Sequence, residues 1–231
     1  MSSMTDTIRR MCIRTAKRKD MNIIDRYDTV IWDFNGTLLD DVDAGIKSVN
    51  TMLSRRALRQ IASRSEYFDV FGFPIIEYYR RLGFDFEKES FAVLADEWVA
   101  EYLKNAADAP LCHGVKDALD AFAAAGIKQY VLSMTEQNML ISQLEQLGIK
   151  RYFIQVSGLD NVQAFSKLSL AESWSRGKDL SRALFIGDTT HDYETAQTMG
   201  TDCLLIASGH QKRSELEKCT CRVVDSATEL I

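Results

Sequence analysis

Asp33, Ser133, Lys167, Asp188 and Asp192 are the residues of this 231-residue chain whose types and settings could do chemistry together. Asp33 closes the apolar run Thr29-Val30-Ile31-Trp32 and is followed by Asn35 and Gly36. A short run rich in β-branched and aromatic residues reads as a buried parallel strand. A carboxylate at the carboxyl end of such a strand sits where open α/β sheets place their ligands, as a nucleophile or a metal ligand. Gly36 lets backbone N–H groups approach an anion closely. Ser133 and Asp188 end two further runs, and Lys167 opens a helical segment, where a cation is mildly unfavourable against the helix dipole. Singly, each has an ordinary structural use, because Ser133, Asp188 and Asp192 all suit helix N-caps. As a set they match the needs of metal-assisted phosphoryl transfer. Carboxylates hold Mg²⁺, while the hydroxyl, the lysine and backbone amides bind the phosphoryl oxygens.

The elements that must position these residues follow from periodicity. After the first strand the pattern is helical up to about Ala109, with expected helices over 42–59, 65–71, 75–82 and 87–105. With no strand among them, these form an all-α insertion. From Pro110 the chain alternates as βαβ units do, with strands at 127–132, 152–156, 183–186, 203–206 and 222–224. The helices between them cover 114–125, 136–147, 166–176 and 193–199. The fold class is α/β, a doubly wound parallel sheet with helices on both faces.

Composition narrows the classes. A net charge of −5 argues against a general basic surface for nucleic acid. No run approaches the length of a membrane span, so no membrane partner is expected. Five cysteines without framework spacing suggest a reducing compartment, and a cytoplasmic location. Cys219 and Cys221 could hold a metal or form a strained disulfide, but read best as the edge of the last strand. Residues 1–20 are basic and expected to be a disordered or loosely helical leader.

The segments Asp33-Phe34-Asn35-Gly36-Thr37, Ser133, Lys167 and Gly187-Asp188-Thr189-Thr190-His191-Asp192 resemble, in order and spacing, the four motifs of the haloacid dehalogenase superfamily. The inserted helices are similar to that superfamily's helical cap. The stretches at Phe71-Gly72-Phe73-Pro74 and Ala207-Ser208-Gly209-His210-Gln211 look most like its phosphoglycolate-phosphatase-like branch. The resemblance implies a core of residues 21–41 and 110–231 and a cap of 42–109. It implies Asp33 as the nucleophile that becomes an aspartyl phosphate. Mg²⁺ would be held by Asp33, the Asn35 backbone carbonyl and Asp188, with Asp192 as ligand or anchor. Phosphate would be bound by Asp33, Gly36, Ser133, Met134 and Lys167. The substrate would be a small phosphorylated metabolite, and the protein a monomer or homodimer.

Asn35 departs from the pattern. Family phosphatases carry an aspartate there as general acid and base, and an amide has no proton to give. His113 and His191, nearest the strand ends, are candidate substitutes, and Asn35→Asp would be expected to raise turnover, more for alkyl than aryl phosphates. Alternatives are a phosphonatase or sugar-phosphate mutase of the same fold, or a weakly active phosphate-ester-binding regulatory protein. No lysine of the insertion stands out as a Schiff-base candidate.

Overall fold

The computed structural model describes residues 22–159 and 167–231. The expected leader over 1–20 and the expected helix start at Ser166 lie outside them. A one-turn helix, α1 (Ile23–Arg26), capped by the Asn22 side chain, precedes the first strand and was not foreseen from sequence.

Six strands form one parallel sheet: β1 (Thr29–Trp32), β2 (Lys128–Glu136), β3 (Phe153–Leu159), β4 (Ala183–Gly187), β5 (Asp202–Ile206) and β6 (Arg222–Val224). Their order is β3-β2-β1-β4-β5-β6. Every side chain of β1 and β4 is buried, as central strands covered on both faces require. The chain leaves β1 towards β2 on one side and reaches β4 on the other. This reversal opens a crevice outside the carboxyl ends of β1 and β4, where Asp33 and Asp188 follow directly.

Four helices lie between β1 and the rest of the sheet: α2 (Val42–Arg55), α3 (Arg64–Val70), α4 (Ile75–Arg81) and α5 (Phe91–Asn105). They gather their own core, including Val49, Met52, Leu53, Tyr67, Tyr78, Tyr79, Phe84 and Leu94. The chains running into and out of this insertion lie side by side. Leu39 bridges Leu111 antiparallel, and the Cys112 N–H donates to the Leu38 carbonyl at 2.9 Å.

The remaining helices are α6 (Val115–Ala124), α7 (Gln137–Gln146), α8 (Lys167–Ser175), α9 (Thr190–Met199) and the short α10 (Arg213–Leu216). Strand alternation sends Val30, Trp32, Leu184 and Ile186 to one face, against Phe122 of α6 and Leu140 of α7. Ile31, Ala183 and Phe185 face Trp174 of α8 and Ala196 of α9 on the other. The doubly wound expectation is met.

Several boundaries differ from the sequence reading, each for a local reason. The α2 helix ends at Arg55 rather than residue 59, because Ala57 takes a left-handed φ of 51°. The Leu58 N–H then reaches back to the Leu53 carbonyl at 3.0 Å, a stop usually announced by glycine. Ser90 caps α5, so that helix begins at Phe91 and not at 87. The second strand does not end at Ser133 but continues to Glu136, with a register shift against β3 after Leu132. The α9 helix begins at Thr190 rather than 193, because Thr189 and Asp192 form a reciprocal capping box. Cys219 and Cys221 precede β6, and the described cysteines are all free thiols. Among the described residues no helix is long and apolar enough to cross a membrane.

Leu94 is fully buried at the centre of the insertion's core. Leu94→Ala is expected to destabilise by about 2–5 kcal/mol, read as a lower urea midpoint. A midpoint unchanged from wild type would show that this core does not limit unfolding.

Candidate active site

The loop after β1 sets the site's geometry. The Asp33 N–H extends the ladder by donating to the Ile186 carbonyl at 2.8 Å, which holds the residue beside β4. The Phe34 carbonyl then accepts from Leu38 and Leu39 at 2.9 Å each, drawing the chain into a tight loop. Gly36 sits in this loop with φ 72°, and a Cβ there would collide with Asp188 and the His210 ring. Only glycine fits both demands. At the end of β4, Asp188 accepts from Thr37 Oγ1 at 3.0 Å and from the His210 backbone N–H at 2.7 Å.

Lys167 begins α8 and is 3% exposed. Its ammonium bridges one oxygen of Asp33 and one of Asp192. The other Asp192 oxygen accepts from the Asp188 N–H at 3.1 Å, the Thr189 N–H at 2.9 Å and the Thr189 hydroxyl at 2.7 Å. Among the described residues no hydrogen bond reaches Asp33 Oδ2, so the lysine pins one oxygen and leaves the other without a protein donor. Carboxylate oxygens of Asp33, Asp188 and Asp192 lie within 4.8 Å of one another.

The electrostatics follow from burial and crowding. Burial, with the charges of Asp192 and Asp188, raises the Asp33 carboxyl well above its usual range, against the pull of Lys167. Burial raises Asp188 to about 7, opposed by His210. Burial would raise Asp192 too, but Lys167 and the Thr189 donors outweigh it and hold Asp192 low. Lys167 stays protonated: burial opposes its charge, and Asp192 and Asp33 overcome that cost.

A second group of side chains surrounds Asn35. Its Nδ2 donates to Asp41 Oδ2 at 2.8 Å and to the Tyr102 hydroxyl at 2.7 Å, while its Oδ1 accepts from Thr135 Oγ1 at 2.7 Å. Asp41, the residue before α2, also accepts from the Gly36 N–H at 2.8 Å, from Tyr102 at 2.7 Å and from His210 Nε2 at 3.1 Å. The other His210 nitrogen lies 2.7 Å from the hydroxyl of Tyr67, in α3. Burial alone would raise the Asp41 carboxyl, but the charge and hydrogen bond of His210, with donors from Tyr102 and Asn35, bring it below the usual carboxylate range. His210 mirrors this, since burial would lower it and Asp41 raises it to about 9.

Comparison with known proteins decides the family. The family model for haloacid dehalogenase-like hydrolases matches residues 30–206, from β1 through β5. The chain belongs to that family. Phosphoglycolate phosphatase of Caulobacter vibrioides is 26% identical over 195 residues, covering 79% of this chain and 80% of the relative. Tyrosine-protein kinase PtkA of Mycobacterium tuberculosis is 24% identical over 210 residues, covering 87% of this chain and 69% of the relative. A haloacid dehalogenase-like hydrolase of Streptococcus pneumoniae shares the fold with a TM-score of 0.75 at 18% identity, over 89% of this chain and 97% of that one. The protein is thus a haloacid dehalogenase-like enzyme, and the phosphatase-type hydrolase expected from the four motifs agrees with the family model and with the phosphoglycolate phosphatase relative, not with the kinase.

Within this haloacid dehalogenase-like site the motif residues converge as their spacing suggested. Asp33, Lys167, Asp188 and Asp192 meet at the switch point. Ser133 is buried, its hydroxyl accepting from the Thr135 N–H and donating to Thr135 Oγ1, both at 3.1 Å, and Thr135 connects it to Asn35. The Met134 side chain is exposed. The histidines singled out from sequence are not the ones in the site. His113 is exposed, and His191 pairs with Glu194 and packs on Phe73. The site histidine is His210, and with it sequence reasoning missed Asp41, Tyr67, Tyr102 and Thr135. The second acid of Asp40-Asp41, just before an expected helix, was the available signal; the two tyrosines carried none.

Because His210 is raised from 6.5 to about 9, its ion pair stabilises the fold fully below pH 6.5, and that contribution is lost as pH rises through 9. The stability gap between wild type and His210→Gln, measured by thermal melting, is therefore expected to be widest below pH 6.5 and to shrink above 9. A gap independent of pH would mean that the imidazole titrates alike in the folded and unfolded protein, and a gap that narrows below pH 6.5 that it is held neutral in the fold.

Proposed function

We propose that this protein is a Mg²⁺-dependent phosphohydrolase that cleaves small phosphorylated metabolites through an aspartyl phosphate on Asp33. Residues 42–109 form its helical cap over a core of 21–41 and 110–231. The observation that carries the reading is the Lys167 bridge, which leaves the second Asp33 oxygen without a protein donor in a cluster of carboxylates that lie within 4.8 Å of one another.

The donor set fits a hard divalent cation. Asp33, Asp41, Asp188 and Asp192 are all buried, and the cationic groups among them are Lys167 and His210. The Asp33 and Asp188 carboxyls are raised chiefly by burial, with the neighbouring carboxylates adding to it. All-oxygen ligands suit Mg²⁺. Asp33, Asp188 and the Asn35 backbone carbonyl would hold it. Asp192, whose oxygens are engaged by Lys167, Thr189 and the Asp188 N–H, would anchor the loop rather than bind first. Bound there, the ion would supply charge stabilisation for the phosphoryl oxygens.

The chain's own residues account for the rest. Asp33 attacks phosphorus, and the electron pair of the breaking P–O bond leaves with the leaving group. Lys167 and the amides near Gly36 and Met134 offset the charge on the transferred group, joined by Ser133 once its hydroxyl turns from Thr135. Water then attacks the aspartyl phosphate and regenerates Asp33. The described lysines of the insertion, Lys47, Lys88 and Lys104, are exposed, which gives no support to a phosphonatase-type Schiff base.

A panel of phosphorylated metabolites assayed with Mg²⁺ tests this reading. Asp33→Asn is expected to lower turnover by on the order of 10³-fold or more while the circular dichroism spectrum stays folded. Wild-type-like turnover in that variant would remove Asp33 from the mechanism. Asp188→Ala is expected to abolish the rise in melting temperature that Mg²⁺ gives the wild type. An undiminished rise would place the metal elsewhere.

A further inference from the structure

Resting on the phosphohydrolase reading, the hydrogen bonds at Asn35 narrow the substrate class. An amide offers two N–H donors and an oxygen with two lone pairs. Both donors of Asn35 are spent, on Asp41 and Tyr102, and one lone pair is taken by Thr135. The orientation is fixed, because the Asp41 carboxylate accepts only, so the amide nitrogen must face it. What residue 35 presents to the crevice is a single acceptor.

The protons around Asn35 are also committed, and His191, paired with Glu194, packs on Phe73 away from Asn35. Tyr102 donates to Asp41. The His210 ring nitrogens face Asp41 and Tyr67. Thr135 donates to Asn35 and Ser133 to Thr135. Lys167 is bound by two carboxylates that hold its proton firmly. An acceptor can orient the water that hydrolyses the aspartyl phosphate, passing its proton to the departing phosphate and solvent. It cannot protonate the leaving oxygen in the first step.

We infer that the site takes phosphates whose leaving oxygen departs unprotonated as a weakly basic anion, a phenol-type oxygen or an acyl oxygen, rather than a sugar-type primary alkoxide. Asp41 is the positioning residue that enforces this, by holding Asn35 in its acceptor-only pose. Between the two sources the surroundings favour the aryl group. Phe71 lies 5.4 Å from the His210 ring between centroids, and Phe73, 40% exposed, lies 4.9 Å from His191. These rings line the seam between insertion and core, where a leaving group would sit against an aromatic surface.

Asp41 also alters what Asn35→Asp would do. A carboxylate at 35 would face Asp41 Oδ2 across the present 2.8 Å contact, and two carboxylates so placed repel. The rise in turnover expected from sequence therefore requires the charge at 41 to be removed as well. The paired change Asn35→Asp with Asp41→Asn restores an amide–acid contact with its polarity reversed.

The test is kcat/KM of the Mg²⁺-loaded wild type across substituted phenyl phosphates, acetyl phosphate and alkyl phosphates, including phosphoglycolate. The expected result is a steep fall with leaving-group basicity, with alkyl esters below phenyl phosphate by about 10²–10⁴-fold, the range a general acid contributes. Alkyl esters turned over as well as phenyl phosphate would overturn the proposal. A preference for acetyl phosphate over every aryl ester would support the acyl source. In the doubly substituted protein the series is expected to flatten, chiefly through kcat for the alkyl esters. A double variant that folds and keeps the wild-type slope would overturn the role of Asp41, and if it does not fold the wild-type series decides. Turnover of no member, or turnover that survives Asp33→Asn, would instead overturn the phosphohydrolase reading and this inference with it.

Discussion

The buried bridge from Lys167 to Asp33 and Asp192 is the interaction on which the rest of this site depends. It joins the loop after β1, the start of α8 and the first turn of α9, three segments far apart in sequence. Such a bridge is weak evidence for stability, because desolvating the partners offsets most of the attraction. Its consequence is geometric. One oxygen of Asp33 is held and the other is left without a protein donor, while Asp192 is oriented so that its second oxygen gathers the amides of Asp188 and Thr189. The capping box that starts α9 and the alignment of the acidic loop are therefore the same set of hydrogen bonds. Three crowded carboxylates with one lysine among them leave the site short of positive charge, which is the condition that favours a bound cation.

Asp41 organises the opposite wall in a comparable way. It stands where the chain leaves the core for the inserted helices and takes hydrogen bonds from the Gly36 amide, Asn35, Tyr102 and His210. Tyr102 lies on α5, and Tyr67, on α3, reaches His210 in the core. The insertion is thus tied to the loop after β1 through one carboxylate and one imidazole. An ion pair between Lys212 and Asp69 and the packing of Phe73 on His191 add further contacts along the seam. The substitution of an amide for an acid at residue 35 belongs to this arrangement, since an acid there would meet Asp41 directly.

The sequence by itself determined the parallel, doubly wound class of the sheet and the existence of an all-helical insertion, while the order of the strands in the sheet came only with the tertiary structure. The class and the insertion depend on local periodicity: β1 and β4 are short apolar runs that end at acids, and α2 and α5 carry apolar stripes. The sequence also pointed to Asp33, Lys167, Asp188 and Asp192, because each lies at a recognisable place, just past a strand end or in the first turn of a helix. Boundaries were less legible where a side chain rather than a backbone breaker set them. Ala57 in a left-handed turn, the Ser90 cap and the continuation of β2 past Ser133 are of this kind. What only the tertiary structure decided is the company each motif residue keeps. Asn35 and Tyr102 are brought together across 67 positions, and Tyr67 and His210 across 143. No pattern in the chain marks those tyrosines, since an aromatic on an apolar helix face reads the same whether its hydroxyl meets solvent or a buried carboxylate. Hydrophobic spacing specifies which face turns inward, and the hydrogen-bond partner at the end of a buried side chain is specified only when the two faces meet.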